Sequence, residues 1–569
     1  MKKRINWIGI AGILIFTVLF LSACDMDLSA GLEDQITLSR QLAGETNTFA
    51  VMAPLHVTNW GEFEYDLNTV KAYGVQAVSV DVWWGDVEAG GDNSFNWSYY
   101  DTIFEKIRNA GLDIVPIMSF HQCGGNVGDD YTSYLPSWIW SKYSGVSPED
   151  LKYRSETGAY SSEYISLWAD QLVVEEYVDF MNAFEAHFGY MASAMAELNI
   201  SGGPAGELRY PSYNSHDWGG YGNRGTLQAY GNYAKNDFKN DMISKYGSLS
   251  GVNSAWGTSL NNDYDIAPPM DANWFFNNWD YINTQYGRDF IDWYNQSLKE
   301  HGITMINAAK SAFDNQFANV EFGMKIPGVH WEISNPTYPR LAEMTAGLLK
   351  ISDNYQSAAS GYGYGNIING FTGHNRQVNL HFTCLEKGND EGDAYSKAED
   401  LVFWVAQAAL DQNVRIKGEN ALSDGVTNDY GWDHINNAFA YASYTGLTIL
   451  RMHNVSSGTG KTRYASFIQN YGIVNPVTEL TIHYKEWESA TTYSIHPWDG
   501  LSGYIIMAYE GYFNNGHWWK ATISSAPAGF NFCFTNSNGN WDGGTRVFSS
   551  QASEIYINPW NNTVYTYRP

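Results

Sequence analysis

The sequence predicts a (β/α)8 barrel carrying a small C-terminal β-sandwich. Eight short β-rich runs alternate with stretches of helical length over residues 48–475, the signature of a parallel barrel. Residues able to do acid–base or hydrogen-bond chemistry stand just beyond most of those runs, where a barrel of this kind places its active site. After Asn475-Pro476 the helical stretches stop, and short strands broken by Gly and Asn turns take over.

At the N-terminus, Lys2, Lys3 and Arg4 precede the apolar run Trp7 to Leu21, the pattern of a secretory signal rather than a spanning helix. Leu21-Ser22-Ala23-Cys24 follows and resembles the lipobox of bacterial lipoproteins, so residues 1–24 read as a leader ending at a lipidated Cys24, or as one cleaved without lipidation. Export is the expectation, with the chain either anchored to a membrane through Cys24 or secreted. Residues 25–47 are polar and aperiodic, a flexible tether.

The predicted barrel strands are Phe49–Val57, Val75–Trp84, Leu112–Phe120, a run from about Asn199, Val320–Ile326, Val378–Phe382, Val414–Lys417 and Gly446–Leu450. Helical segments are expected near 97–110, 170–198, 226–246, 284–314, 395–412 and 430–443. An open doubly wound sheet would fit the same alternation, but no G-x-G-x-x-G follows the first strand. Formal charge is −28, from 61 acidic against 33 basic residues, which argues against a nucleic-acid partner. Aromatic residues reach 16%, and flat amphipathic rings suit sugar faces as well as a large core. The remaining cysteines, Cys123, Cys384 and Cys533, have no zinc-type spacing.

The strand ends supply the chemistry. Asp81 closes the second strand, His121 follows the third and Glu207 the fourth. Lys325 ends the fifth, with His330 and Trp331 close behind; Thr383, Cys384 and Glu386 follow the sixth, Glu419 and Asn420 the seventh, and Arg451 the eighth. Glycosidic cleavage needs a protonated carboxyl to assist the leaving oxygen and a carboxylate to activate water or attack carbon. Glu207 and Glu419 are candidates for that pair, on strands far enough apart to admit a water. Lys325 is placed to keep Glu419 ionised, whereas Glu207 needs a desolvated site to stay protonated. Glu207 lies in Ser201-Gly-Gly-Pro-Ala-Gly-Glu-Leu-Arg-Tyr-Pro-Ser-Tyr213, whose glycines would let another molecule approach the backbone. The glycine-rich Gly124–Asp129 segment reads as a mobile lid carrying Asp129, or as a rigid turn.

His121-Gln-Cys-Gly-Gly-Asn-Val-Gly-Asp129 and Gly203-Pro-Ala-Gly-Glu-Leu-Arg-Tyr-Pro-Ser-Tyr213 resemble the two signatures of the β-amylase family. Asp81-Val-Trp-Trp-Gly85, Lys325-Ile-Pro-Gly-Val-His-Trp331, Phe382-Thr-Cys384, Gly418-Glu-Asn-Ala-Leu422 and Leu450-Arg451 match in order, so the resemblance spans residues 48–472. It implies a barrel enzyme that releases maltose from non-reducing ends of starch, amylose, amylopectin and maltodextrins, with inversion. By that resemblance Glu207 is the general acid and Glu419 the general base. Asp81, His121, Asp129, Ala205, Lys325, His330, Trp331, Thr383, Asn420, Ala421 and Arg451 contact substrate. Tyr131 stands near the position where bacterial relatives carry a second Cys. The resemblance further implies a structural Ca2+ held by Glu88, Asp92 and Asn93 from one loop and Glu176 and Asp179 from a helix, an all-oxygen set suited to that ion.

Residues 477–569 carry Thr481-Ile-His-Tyr-Lys-Glu-Trp487, Tyr493-Ser-Ile-His496 and Asn538-Gly-Asn-Trp-Asp542, which resemble starch-binding modules of family 25. His496, Trp498 and Trp541 are the candidate sugar-stacking residues. Two other functions remain open on these grounds: a surface lipoprotein that binds starch without cutting it, and a retaining α-amylase with an Asp nucleophile.

Overall fold

The computed structural model describes residues 47–472, except 126–128, 214–223, 338, 352–362 and 391–394, and beyond them strand segments between Val477 and Tyr565. The leader, Cys24, the tether up to residue 46 and Trp541 lie outside the described residues.

Eight parallel strands close into a barrel. In chain order they are β1 (Thr48–Met52), β2 (Ala77–Trp83), β3 (Asp113–Ser119), then, after a hairpin of β4 (Lys152–Arg154) and β5 (Tyr160–Ile165), β6 (Leu198–Ile200), β7 (Phe322–Ile326), β8 (Val378–Phe382), β9 (Ile416–Glu419) and β10 (Tyr444–Ile449). Pairing of β1 with both β2 and β10 completes the ring. The strands read as near-continuous apolar runs because a parallel barrel strand is covered on both faces. Thus all residues of β8 and β10 are buried. Closure settles the choice against an open sheet.

The expected helices appear as Ser98–Asn109, Asp170–Phe188, Asn232–Tyr246, Gln285–Ala312, Ala398–Asp411 and Tyr430–Tyr441. Two boundaries differ from expectation. The helix from Asp170 stops at Phe188 and passes into a 3-10 turn over Gly189–Ala194, and residues 226–231 precede their helix as non-helical chain. Trp60–Ala72 and Gly458–Tyr471 are helices that the periodicity did not single out. The first starts on an Asn59 cap that accepts from the Glu62 N–H, satisfying one of the donors that a helix start leaves open.

The lower barrel interior is polar. Glu197, 2 % exposed, accepts from Lys417 Nζ at 2.5 Å and Asn379 Nδ2 at 2.6 Å, and pairs with His381 Nε2 at 2.5 Å. Burial opposes its charge, but Lys417 and His381 win and hold the carboxyl well below the usual range. Gly323 on β7 makes room for this pair: a Cβ there would lie 2.0 Å from Asn199 Oδ1 and 2.2 Å from Glu197 Oε1.

Beyond residue 476 the chain forms a five-stranded and a four-stranded sheet, with mostly antiparallel pairing. Two such sheets agree with the expected sandwich class. His496 and Trp498 lie in the strand Tyr493–Trp498.

Candidate active site

The cleft is built where β6 stops short. After Ile200 the chain enters a tight turn over Pro204–Gly206, with Ala205 at φ 56° and Gly206 at φ 78°. It then resumes extended beside β7, pairing Glu207 with Lys325. Gly203 and Gly206 are needed for close packing within this chain, and Gly206 also lines the cleft. A Cβ on Gly203 would sit 2.6 Å from the carbonyl oxygens of Glu207 and Arg209, and one on Gly206 would press 3.2 Å from the His121 ring. The loop therefore folds onto itself, and that close packing fixes where the Glu207 side chain projects.

Glu207 is largely buried, its side chain 14 % exposed. Arg209 Nε donates to its Oε2 at 2.8 Å; the same guanidinium donates to the Tyr210 carbonyl and lies 4.2 Å over the Tyr213 ring. Burial raises the Glu207 pKa, and the nearby Glu419 charge adds to the rise; Arg209 and Lys325 oppose it without cancelling it. Glu207 thus has the desolvated setting expected of it, and with it a cation partner, Arg209, that the sequence alone does not assign.

Glu419, at the end of β9, is buried and accepts from Lys325 Nζ at 2.6 Å. Its ammonium partner is therefore the expected one. Asn420 pins the following turn, donating to the carbonyls of Leu422 and Leu450 and accepting from the Leu450 N–H. Glu386 holds the same turn from the β8 side, accepting the N–H groups of Ala421 and Leu422 at 2.9 and 2.8 Å. Burial pushes the Glu386 carboxyl up to about 7, against those two donors.

The rest of the rim is equally tied. Asp81 accepts from Ser119 Oγ at 3.1 Å and faces Arg451 at 3.6 Å, while Arg451 also donates to the Ala53 carbonyl. Thr383 Oγ1 accepts the Gly328 N–H at 2.7 Å. Asp129 accepts the Gly124 N–H at 3.0 Å; the proposed lid falls partly on residues 126–128, outside the described ones. His121 is buried, with Nδ1 2.9 Å from Ser201 Oγ. Burial, helped by Lys325, Arg209 and Arg451, pulls its pKa down to about 3, so the ring is neutral near pH 7.

One pocket is lined by Glu207, Glu419, Asp81, His121, Asp129, Ala205, Lys325, Thr383, Asn420, Ala421 and Arg451. Two expected contacts, His330 and Trp331, are not in that lining. His330 Nδ1 lies 2.9 Å from Ser396 Oγ, and Trp331 meets Tyr213 edge-on at 4.9 Å. They connect to the pocket through Tyr213 and Arg209. Trp83, Leu55 and Gln122 line it too. Trp83 donates from Nε1 to the Leu55 carbonyl and meets His121 edge-on at 5.3 Å. In sequence it reads as ordinary strand core; its place two residues after Asp81, hence on the same strand face, and its position inside the Asp81-Val-Trp-Trp-Gly85 match are the signals that could have found it. Cys123 and Cys384 are free thiols, and the Tyr131 carbonyl lies 3.5 Å from Cys123 Sγ.

The calcium set fares differently. Lys142 places its ammonium between Asp92 and Glu176, at 2.8 and 2.5 Å. Among the described residues no group of three or more His, Cys, Asp or Glu is arranged to hold a metal ion.

The family model for glycosyl hydrolase family 14 matches residues 50–473. A β-amylase from Niallia circulans is 36% identical, with 90% of this chain and 88% of that protein covered. A thermophilic β-amylase from Thermoanaerobacterium thermosulfurigenes is 37% identical, covering 87% and 84%. The crystal structure of the catalytic domain of β-amylase from Paenibacillus polymyxa superposes with a TM-score of 0.67 at 38% identity, covering 75% of this chain and 98% of that one.

Proposed function

The chain belongs to glycosyl hydrolase family 14, and we propose that its cleft cuts α-1,4-glucosidic bonds from the non-reducing ends of starch chains, releasing β-maltose with inversion. Hydrolysis of starch, as a β-amylase, is the activity its kinship carries. The observation that supports the division of labour is the unequal environment of the two carboxylates in one pocket. Glu207 is pushed toward its protonated form by burial, while Glu419 sits 2.6 Å from an ammonium.

In this reading Glu207 donates its proton to the glycosidic oxygen as the C–O bond breaks. Glu419 takes a proton from a water that attacks the anomeric carbon from the other face. The cycle leaves Glu207 ionised and Glu419 protonated, and exchange with solvent restores both. Burial outweighs Arg209 at Glu207 while Lys325 sits on Glu419, and Asn420 and Glu386 fix the turn that follows Glu419. Asp81, His121, Thr383, Ala421 and Arg451 present polar edges to sugar hydroxyls.

The test is to incubate the protein with amylose and follow the anomeric signal by NMR. Fresh β-maltose supports the proposal. Fresh α-maltose or mixed internal fragments would point to a retaining amylase, and absence of product to a binding protein.

Residues 477–569 are assigned a tethering role on granules, supported by the family 25 resemblance and by two-sheet architecture. His496, Trp498 and Trp541 are its proposed stacking residues. Deleting 477–569 should weaken granule binding while sparing soluble maltodextrins; equal loss on both would defeat it. Export with lipidation at Cys24 is proposed from the leader pattern, and metabolic labelling with palmitate, lost in Cys24→Ser, checks it.

A further inference from the structure

We infer that Lys142 supplies internally the cation that bacterial relatives are expected to take from calcium, so that this chain joins its β2 loop to the helix Asp170–Phe188 without a metal. The loop side of the junction is Glu88, Asp92 and Asn93, and the helix side is Glu176; Asp179, the remaining member of the expected set, is exposed one turn further along the helix. Every carboxylate oxygen of the three acids already has a donor from the protein. Asn93 N–H donates to Glu88 Oε1 at 2.5 Å and Trp84 Nε1 to Glu88 Oε2 at 2.7 Å. Asn93 Nδ2 donates to Asp92 Oδ1 at 3.1 Å and Lys142 Nζ pairs with Asp92 Oδ2 at 2.8 Å. Tyr143 OH donates to Glu176 Oε1 at 2.9 Å and Lys142 Nζ to Glu176 Oε2 at 2.5 Å.

The ammonium is positioned, not merely nearby. It also lies 5.2 Å over the Trp138 ring, whose own Nε1 donates to the Glu88 carbonyl at 3.0 Å. Calcium requires six to eight oxygens converging on one point. Here the centre between Asp92 and Glu176 is taken by a covalently attached positive charge, which would repel a divalent ion and would have to leave before one entered. The ammonium makes up to three directed N–H bonds instead, and it brings its own chain segment, Ile139–Lys142, into the junction. The consequence is a fold whose stability is independent of free calcium. Activity is not invoked, because the junction lies outside the residues that line the catalytic pocket.

The experiment compares melting temperatures of the full chain in EDTA and in millimolar calcium chloride. Wild type should melt at the same temperature in both. Lys142→Gln should lower Tm in EDTA by at least about 2 °C, because Asp92 and Glu176 then face each other without the shared ammonium. Lys142→Arg, which keeps the charge, should restore most of the loss. Recovery of the Gln variant by calcium would support the inference, since the metal then enters only when the ammonium is gone; a loss that calcium leaves unchanged also supports it. A saturable calcium-dependent rise in wild-type Tm that vanishes in Glu176→Gln would overturn it. So would a Lys142→Gln protein as stable in EDTA as wild type.

Discussion

Arg209→Met should move the alkaline limb of kcat/KM to higher pH. The proposed acid, Glu207, must be protonated to work, so the pH at which it ionises in the free enzyme sets that limb. Its pKa is raised chiefly by burial, and Arg209 is the foremost opposing influence, bonded at 2.8 Å. With charge centres about 4 Å apart and an effective dielectric constant of about 20, that attraction is worth ~4 kcal/mol, or ~3 pH units, as an upper bound. Lys325 remains in the variant and the site relaxes, so a shift of roughly 1–2 units is expected, within the range usual for a carboxylate beside an arginine. The measurement is the initial rate of reducing-end release from maltodextrin, well below KM, across the accessible pH range. Tm is followed in parallel, because the vacated guanidinium also served the Tyr210 carbonyl and the Tyr213 ring. Arg209→Lys keeps the charge and should shift the limb less. An alkaline limb that stays in place, or moves to lower pH in a folded Met variant, would refute the assignment of Glu207 as the acid.

Glu207→Gln and Glu419→Gln should each cut kcat by at least roughly 10²–10⁴-fold, with circular dichroism unchanged; a fully active variant removes that residue from the mechanism. Glu197→Gln should destabilise the barrel by roughly 3–5 kcal/mol in urea unfolding, because Lys417 and His381 lose their buried partner. The Glu197 pKa is depressed on folding, so its contribution is present above the ordinary carboxylate pKa and is lost only as pH falls through the lowered value. Glu386 behaves oppositely: its pKa rises from 4.5 to about 7 on folding. Its contribution is full below the unfolded value and fades as pH climbs through 7, by about 3 kcal/mol. Glu386→Gln should flatten that part of the stability profile, and an unaltered slope would count against it.

The sequence made the barrel legible because strand burial on both faces leaves a contiguous apolar run, and because most runs ended on a residue with chemistry. Val378–Phe382 coincided with its strand for that reason. The helix Trp60–Ala72 escaped because Asp66 stands among Phe63, Leu67 and Val70 on its buried face, so little besides the Asn59 cap marks it. Glu207 and Glu419 could be placed from motif and strand end. The cation at Glu207 could not, since an arginine two residues away in an extended chain ordinarily shares a face without meeting its neighbour. Here Arg209 Nε meets Glu207 Oε2 at 2.8 Å, with its guanidinium held over the Tyr213 ring. Lys142 was invisible for a different reason: nothing local marks it, and it acquires a role only when the helix carrying Glu176 arrives from 34 residues away.

In the proposed mechanism the cleft of this chain, whose net charge is −28, must keep an acid and a base distinct. Three cations enter it, and each is bound to a particular carboxylate: Arg209 to Glu207, Lys325 to Glu419 and Arg451 to Asp81. Their combined field, added to burial, keeps His121 uncharged, so under the proposed mechanism the ring does not compete for the proton assigned to Glu207. Lys325 is the link between the two halves. It is bonded to Glu419, yet its charge also reaches Glu207. Removing it would therefore free the base and raise the acid further at the same time, which couples the two proton positions through one side chain on β7.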